Sequence, residues 1–184
     1  GEELSVENLL YIMLIESSFQ AAYSLAEGMG VVLHTSSEEP SVNKAEQKFV
    51  GLMNKKAREL GMENTFFKDP TGLSPENVST ARDLVKLAEF ILNNRPEIAQ
   101  ISRIKEYDLE NYGKLENTDE LLGQVPDIVA GKTGYTVEAK GTLFLLIDNA
   151  KNNDYLIYVI LGADDRFLEM KKMIDWVNVA YQWQ

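Results

Sequence analysis

The sequence contains no cysteine and one histidine, and its 18 lysines and arginines are outnumbered by 29 aspartates and glutamates. Without cysteine the chain forms no disulfide, thiolate metal site or thiol nucleophile. A net charge of −11 without a basic cluster argues against nucleic acid as a partner, because binding phosphates needs grouped cations. No apolar run reaches the roughly 20 residues of a membrane span, so no transmembrane segment is predicted. His34 is the only histidine and has no cysteine beside it, so no metal site is predicted. No other cofactor is predicted either.

Helical hydrophobic spacing occupies the first part of the chain. Gly28 and Gly30 are predicted to end the second helix, since glycine adopts the left-handed conformation common at helix C-termini. The polar stretch that follows, residues 31–43, is predicted to be an inserted loop. The predicted helices run over about residues 5–16, 19–27, 43–60 and 80–93, with a short one from 96.

Strand patterns dominate the second part. A hairpin is predicted over residues 106–109 and 114–117, then three longer strands over 128–136, 141–149 and 155–162, and a closing amphipathic helix. Helices followed by antiparallel strands predict an α+β fold. At 184 residues and 45% hydrophobic, the chain predicts one domain, 1–184, with a helical part of about 1–104 and a hairpin and sheet part of about 105–184.

Lys132, Thr133 and Gly134 lie together on the first long strand. They offer a cation, a hydroxyl and a backbone without a side chain, which together suit an extended peptide that ends in a carboxylate. This tripeptide occurs in penicillin-binding proteins and class A β-lactamases. Three residues alone are a weak signal.

Other segments accompany the tripeptide in one order: residues 49–62, 64–67, 70–73, 79–84, 117–118 with 121–122, and 131–136. Together they resemble the low-molecular-mass serine D-alanyl-D-alanine carboxypeptidases of the penicillin-binding protein and serine β-lactamase-like superfamily, over about residues 1–181. The resemblance implies a partial DD-peptidase fold, with a helical region, a three-stranded antiparallel sheet and a C-terminal helix. It also implies an extracytoplasmic location and a peptidoglycan stem peptide or β-lactam as ligand.

The resemblance implies acyl transfer, in which a serine attacks the penultimate carbonyl of a D-Ala-D-Ala peptide and water releases the acyl group. Lys132 would supply positive charge and Thr133 a hydroxyl to the substrate carboxylate. Gly134 would let the substrate strand approach closely, and the Tyr135 amide would be one oxyanion-hole donor.

The family's nucleophile lies in a Ser-x-x-Lys motif ahead of the segments seen here, so the domain is expected to be N-terminally incomplete and not competent alone. Two such strings occur, Ser41 with Lys44 and Ser102 with Lys105, but roughly one is expected by accident. Ser41 is better interpreted as a helix N-cap.

The family's Ser-x-Asn motif aligns without gaps to Ser17 and Phe19, and a phenyl ring cannot replace the hydrogen bonds of an asparagine. A shift by one residue gives Ser18 and Gln20, which restores an amide but requires a deletion. Alternatively, Ser17 and Ser18 simply end one helix and cap the next.

Residues 155–161, from Tyr155 to Leu161, form an apolar strand that would be a bare sheet edge, which folded proteins normally cover. A missing N-terminal segment or another chain is expected to cover it. Three functional hypotheses remain: part of a DD-carboxypeptidase, a catalytically degenerate relative that binds wall peptide or a protein partner, and a penicillin-hydrolysing relative. The last is disfavoured because residues 64–84 resemble carboxypeptidases.

Overall fold

Helices and strands follow the predicted order in the computed structural model, which describes residues 3–33, 41–149 and 154–181. The α+β class, with a three-stranded antiparallel sheet after a helical region and a closing helix, is confirmed. The helices are α1 Val6–Ile15, α2 Phe19–Val32, α3 Val42–Glu59, α4 Ala81–Asn94, α5 Pro96–Ser102 and α6 Arg166–Ala180. The strands are β1 Glu106–Leu109, β2 Gly113–Glu116, β3 Ile128–Thr136, β4 Lys140–Asn149 and β5 Asp154–Ala163.

Side-chain caps fix the starts of several helices. The Ser5 hydroxyl accepts a hydrogen bond from the Asn8 amide at 3.0 Å at the start of α1, and the Thr80 hydroxyl accepts one from the Asp83 amide at 3.2 Å at the start of α4. Each bond satisfies an amide that the helix itself leaves unpaired.

The end of α2 differs from the prediction, because the helix continues through both glycines to Val32. Gly30 is buried against α3, where a Cβ added to it would lie 2.1 Å from the Ala45 carbonyl oxygen. The glycine therefore permits close approach of two helices and does not end one. Val31 and Val32 of the predicted loop thus belong to α2, and Val42 and Asn43 belong to α3; the rest of that prediction falls largely on residues 34–40, including His34, which lie outside the described residues.

The sheet order is β3-β4-β5, and each face is covered by helices. One apolar cluster lies between the sheet and α6, and a smaller one joins the other face to α4 and α5. The first contains Leu121, Leu143, Leu145, Tyr158, Ile160, Met170 and Ile174, and the second contains Ala88, Ala99, Ala130 and Leu146. This packing holds the helical part against the strand that carries Lys132.

Two sheet edges are open within the described part of the chain. There β3 and β5 each pair only with β4, so each has one side without a strand partner. The β5 edge is the one expected from the sequence to need a cover. The β3 edge belongs to the strand with the Lys-Thr-Gly sequence.

Candidate functional site

The site begins at the break between α1 and α2, where Ser17 has a positive φ of 60°. A residue with a side chain seldom adopts this left-handed conformation, which costs about 1 kcal/mol or more. Ser18 starts α2 by accepting a hydrogen bond from the Ala21 amide at 3.2 Å. The turn separates the two hydroxyls: that of Ser18 caps α2, while that of Ser17 faces β3 of the sheet.

The Lys132 ammonium group joins this turn to β3. Its Nζ donates to Ser17 Oγ at 2.5 Å and to the Thr133 carbonyl oxygen at 3.1 Å. Burial, reinforced by the positive charge of Arg166 and opposed by Asp119, lowers the Lys132 pKa from 10.5 to about 8. At neutral pH the group is mainly a partly desolvated cation, a state that strengthens attraction to an anionic ligand.

Thr133 is buried on the neighbouring position of β3. Its Oγ1 lies 2.5 Å from Thr118 Oγ1, within hydrogen-bond distance. The Thr118 main-chain N–H in turn donates to the Ile15 carbonyl oxygen at 3.3 Å, close to the Ser17 turn. Lys132 is thus bonded to Ser17 in the turn after α1, and Thr133 is linked to Ile15, the last residue of α1, through Thr118.

Gly134 and Tyr135 complete the tripeptide region. A Cβ at Gly134 would lie 2.5 Å from Oγ1 of Thr142, its partner across the sheet, so a side chain there would require the Thr142 side chain to move. Tyr135 pairs with Gly141, and its side chain is 63% exposed. Near its end β3 therefore contains a residue without a side chain, Gly134, followed by the exposed Tyr135.

An apolar cavity of about 330 Å³ lies beside Lys132 and Thr133. Its walls come from α1, α4, α5 and the inner face of β3 and β4. The apolar lining includes Leu14, Leu84, Leu87, Ile91, Phe144 and Leu146. The cation and the hydroxyl are thus next to a pocket suited to a hydrophobic group.

Comparison with known proteins shows which family this chain belongs to. The profile of the D-alanyl-D-alanine carboxypeptidase family matches residues 1–165. The chain belongs to this carboxypeptidase family. It is 34% identical to the D-alanyl-D-alanine carboxypeptidase DacF of Bacillus subtilis, covering 99% of this chain and 45% of that protein. It is 33% identical to a D-alanyl-D-alanine endopeptidase of Escherichia coli, covering 98% of this chain and 56% of that one.

Solved structures of the carboxypeptidase fold agree. A Streptomyces DD-transpeptidase variant superposes with a TM-score of 0.83 at 26% identity, covering 97% of this chain and 70% of that chain. A cefotaxime-bound penicillin-binding protein of Listeria monocytogenes gives 0.78 at 27% identity, covering 94% and 66%. The chain spans about half the length of the curated relatives it matches.

Phe19 occupies the place where the resemblance to the carboxypeptidases predicts asparagine. It is 46% exposed as the first residue of α2. In the shifted register Ser18 and Gln20 do contact each other, at 3.3 Å, but Ser17 is the serine that binds Lys132. The structure thus places Ser17 against Lys132. Ser18 caps α2, as in the alternative in which the two serines end one helix and cap the next.

The two Ser-x-x-Lys strings have structural explanations. Ser41 occupies the N-cap position of α3, where its side chain makes no capping hydrogen bond within the described residues. Ser102 is buried, donates to the Ala99 carbonyl oxygen at 3.1 Å and accepts from the Gly131 amide at 3.3 Å. Both hydrogen-bonding roles of the Ser102 hydroxyl are therefore used in joining α5 to β3.

Sequence analysis missed two charged residues beside the site of this carboxypeptidase relative. Asp119 is 3% exposed, and burial raises the pKa of its carboxyl, while the Leu121 amide bonded to it at 3.0 Å and the nearby Arg166 and Lys132 act in the opposite direction. Oδ2 of Asp119 and Nε of Arg166 are both buried without a hydrogen-bond partner among the described residues. No sequence pattern marks Arg166, whereas Asp119 stands two residues after the family-like Asn117.

Proposed function

We propose that these residues are a portion of a serine D-Ala-D-Ala carboxypeptidase that acts on peptidoglycan stem peptides through an acyl-enzyme, outside the cytoplasm. The observation that supports this most is the Ser17 and Lys132 contact on a strand whose outer edge is open in the described structure. An extended peptide adds readily to such an edge. Its carboxylate would meet Lys132 and Thr133, and the Tyr135 amide would donate to the oxyanion.

The nucleophilic serine is proposed to come from residues outside this sequence. The described serines near Lys132 are accounted for: Ser17 accepts a hydrogen bond from its ammonium group, Ser18 caps α2 and Ser102 joins α5 to β3. The apolar cavity would receive the hydrophobic face of the segment that carries the nucleophile. A further part of the same protein, or another chain, is proposed to cover the β5 edge, residues 155–161.

A catalytically degenerate homologue that binds wall peptide or a protein partner is the second candidate. Phe19 favours it, because its ring offers no hydrogen bond where the family's amide would hold the substrate or the lysine. Peptide binding at β3 would remain, since Lys132 and Thr133 do not depend on that amide for their contacts with Ser17 and Thr118.

Incubation of the native protein with a fluorescent penicillin, followed by intact-mass measurement, separates the two candidates. The carboxypeptidase is expected to gain the mass of one intact penicillin, because β-lactam opening acylates the serine without a leaving group. No adduct at high penicillin concentration, together with retained binding of a D-Ala-D-Ala peptide, would instead support the degenerate binder. Failure of both would refute peptide recognition at this strand.

Ligand binding is expected to weaken as the pH rises through about 8, the pKa of Lys132. Above that value the amine loses its charge, so affinity for a peptide carboxylate should fall up to about tenfold per pH unit until the residual, charge-independent binding remains. The lowered pKa also means that burying the Lys132 ammonium group reduces the free energy of unfolding. This reduction is fully present below about pH 8 and fades as the pH rises to 10.5, the ordinary pKa of lysine.

Titration calorimetry of an acylated D-Ala-D-Ala analogue between pH 6 and pH 10 measures this dependence. A Lys132→Arg variant is the control, because its guanidinium stays charged and its affinity should be flat over that range. An equal fall in both proteins would show that Lys132 is not the group responsible.

A further inference from the structure

Thr118 connects the two halves of the site through separate atoms. Its main-chain N–H donates to the Ile15 carbonyl oxygen at 3.3 Å, beside the Ser17 turn. Its side-chain Oγ1 lies 2.5 Å from Oγ1 of Thr133 on β3. One contact uses the backbone and the other the hydroxyl, so a side-chain substitution removes only the second.

The loop that carries Thr118 is held firmly by Asn117. The Asn117 side-chain amide donates to the carbonyl oxygens of Ser102 at 2.9 Å and Ile104 at 2.8 Å, and its oxygen accepts from the Asp119 amide at 2.9 Å. Three bonds from one side chain fix the loop independently of the Thr118 hydroxyl. The main chain that carries that hydroxyl is therefore in place before any ligand arrives.

The direction of the bond between the two threonines decides what Thr133 can do. A hydroxyl has one proton to donate. If Thr133 donated to Thr118, it would turn a lone pair to an incoming carboxylate and repel it. If Thr118 donates, the Thr133 proton is free to point at the ligand, and its hydrogen bond to a charged acceptor is of the stronger kind.

We propose that Thr118 is a positioning residue, whose hydroxyl donates to Thr133 and thereby directs the Thr133 proton to the carboxylate of the bound peptide. The inference rests on the proposed function, since it requires a ligand that ends in a carboxylate at β3. Thr118 itself need not touch that ligand. Loss of the Thr118 hydroxyl should therefore weaken binding only of peptides with a charged C-terminus. If Thr118 acted only through packing, its loss would weaken binding of charged and uncharged peptides alike.

The test compares Thr118→Val with Thr118→Ser in the native protein. The probe is a D-Ala-D-Ala analogue in which CH2–O replaces the last peptide bond, so that it is not hydrolysed, and a second probe is the same molecule with an amidated C-terminus. Thr118→Val, which keeps the shape of threonine without its hydroxyl, is expected to bind the carboxylate probe about tenfold more weakly. Its affinity for the amide probe should change less than about twofold, and Thr118→Ser should restore carboxylate binding to within about threefold.

Each alternative result has a definite meaning. If Thr118→Val binds the carboxylate probe like the unmodified protein, the inference is wrong and the proposed function stands. Equal losses for both probes would show a merely structural role and overturn it too. If the unmodified protein binds neither probe, the proposed function fails and the inference fails with it. Should Thr118→Val not give a cooperative thermal transition, Thr118→Ala supplies the same comparison without the added methyl group.

Discussion

Lys132→Met is expected to slow acylation of the native protein by a fluorescent penicillin by at least about a hundredfold. Methionine keeps much of the side-chain length and volume but removes the charge and the hydrogen bond to Ser17. Preorganised charge in a water-poor site contributes far more to a reaction than the same charge in solvent. The second-order acylation rate, measured from gel fluorescence against time, gives the effect directly.

Lys55→Met is the matched control for this substitution. Lys55 lies on α3 with its side chain 66% exposed and makes only a weak, surface ion pair with Glu59 at 3.8 Å. Its loss should leave the acylation rate within about twofold, because exposed pairs contribute little. If both variants acylated at the unmodified rate, Lys132 would have no place in ligand recognition.

Gly30→Ala is expected to lower the free energy of unfolding by about 3 kcal/mol. The added methyl group would meet the Ala45 backbone, whose carbonyl oxygen lies 2.1 Å from the Cβ position, and a backbone atom cannot turn aside as a side chain can. The helices α2 and α3 must then separate near the C-terminal end of α2. Urea unfolding followed by circular dichroism measures the loss.

Gly28→Ala provides the opposite expectation two residues earlier in the same helix. No atom of the described residues lies within 4 Å of a Cβ at Gly28, so alanine should raise the free energy of unfolding by about 0.5–1 kcal/mol through its better helix propensity. A similar loss in both variants would mean that the close approach at Gly30 is not the cause. A gain in both would mean that α2 and α3 are further apart than described.

These two glycines also show how far the sequence can be used to predict this fold. The strand bounds were predicted closely because long apolar runs, such as those of β4 and β5, carry the signal locally. Gly30 was misinterpreted as a helix end because the reason for it is Ala45, on the next helix. Local pattern does not distinguish a glycine that ends a helix from one that lets another helix approach.

The site was predictable only through the family resemblance. That resemblance pointed to Ser17 and to Lys132, which the fold brings together, while no periodicity connects them. The contacts of Thr118 and the burial of Asp119 and Arg166 are products of tertiary packing, so their roles were not visible in the sequence. The assignment of Tyr135 and Gly134 to oxyanion and substrate contacts stays a prediction.

The contact between Ser17 and Lys132 has a consequence for the way the chain folds. The two residues are 115 positions apart, so their meeting requires closure of a long loop, whereas the β1 and β2 hairpin closes over a few residues. Distant contacts of this kind form slowly, after local elements are in place. We therefore expect the site to be among the last parts of the molecule to assemble, so that a partly folded chain could contain its helices and hairpin without a place for a peptide to bind.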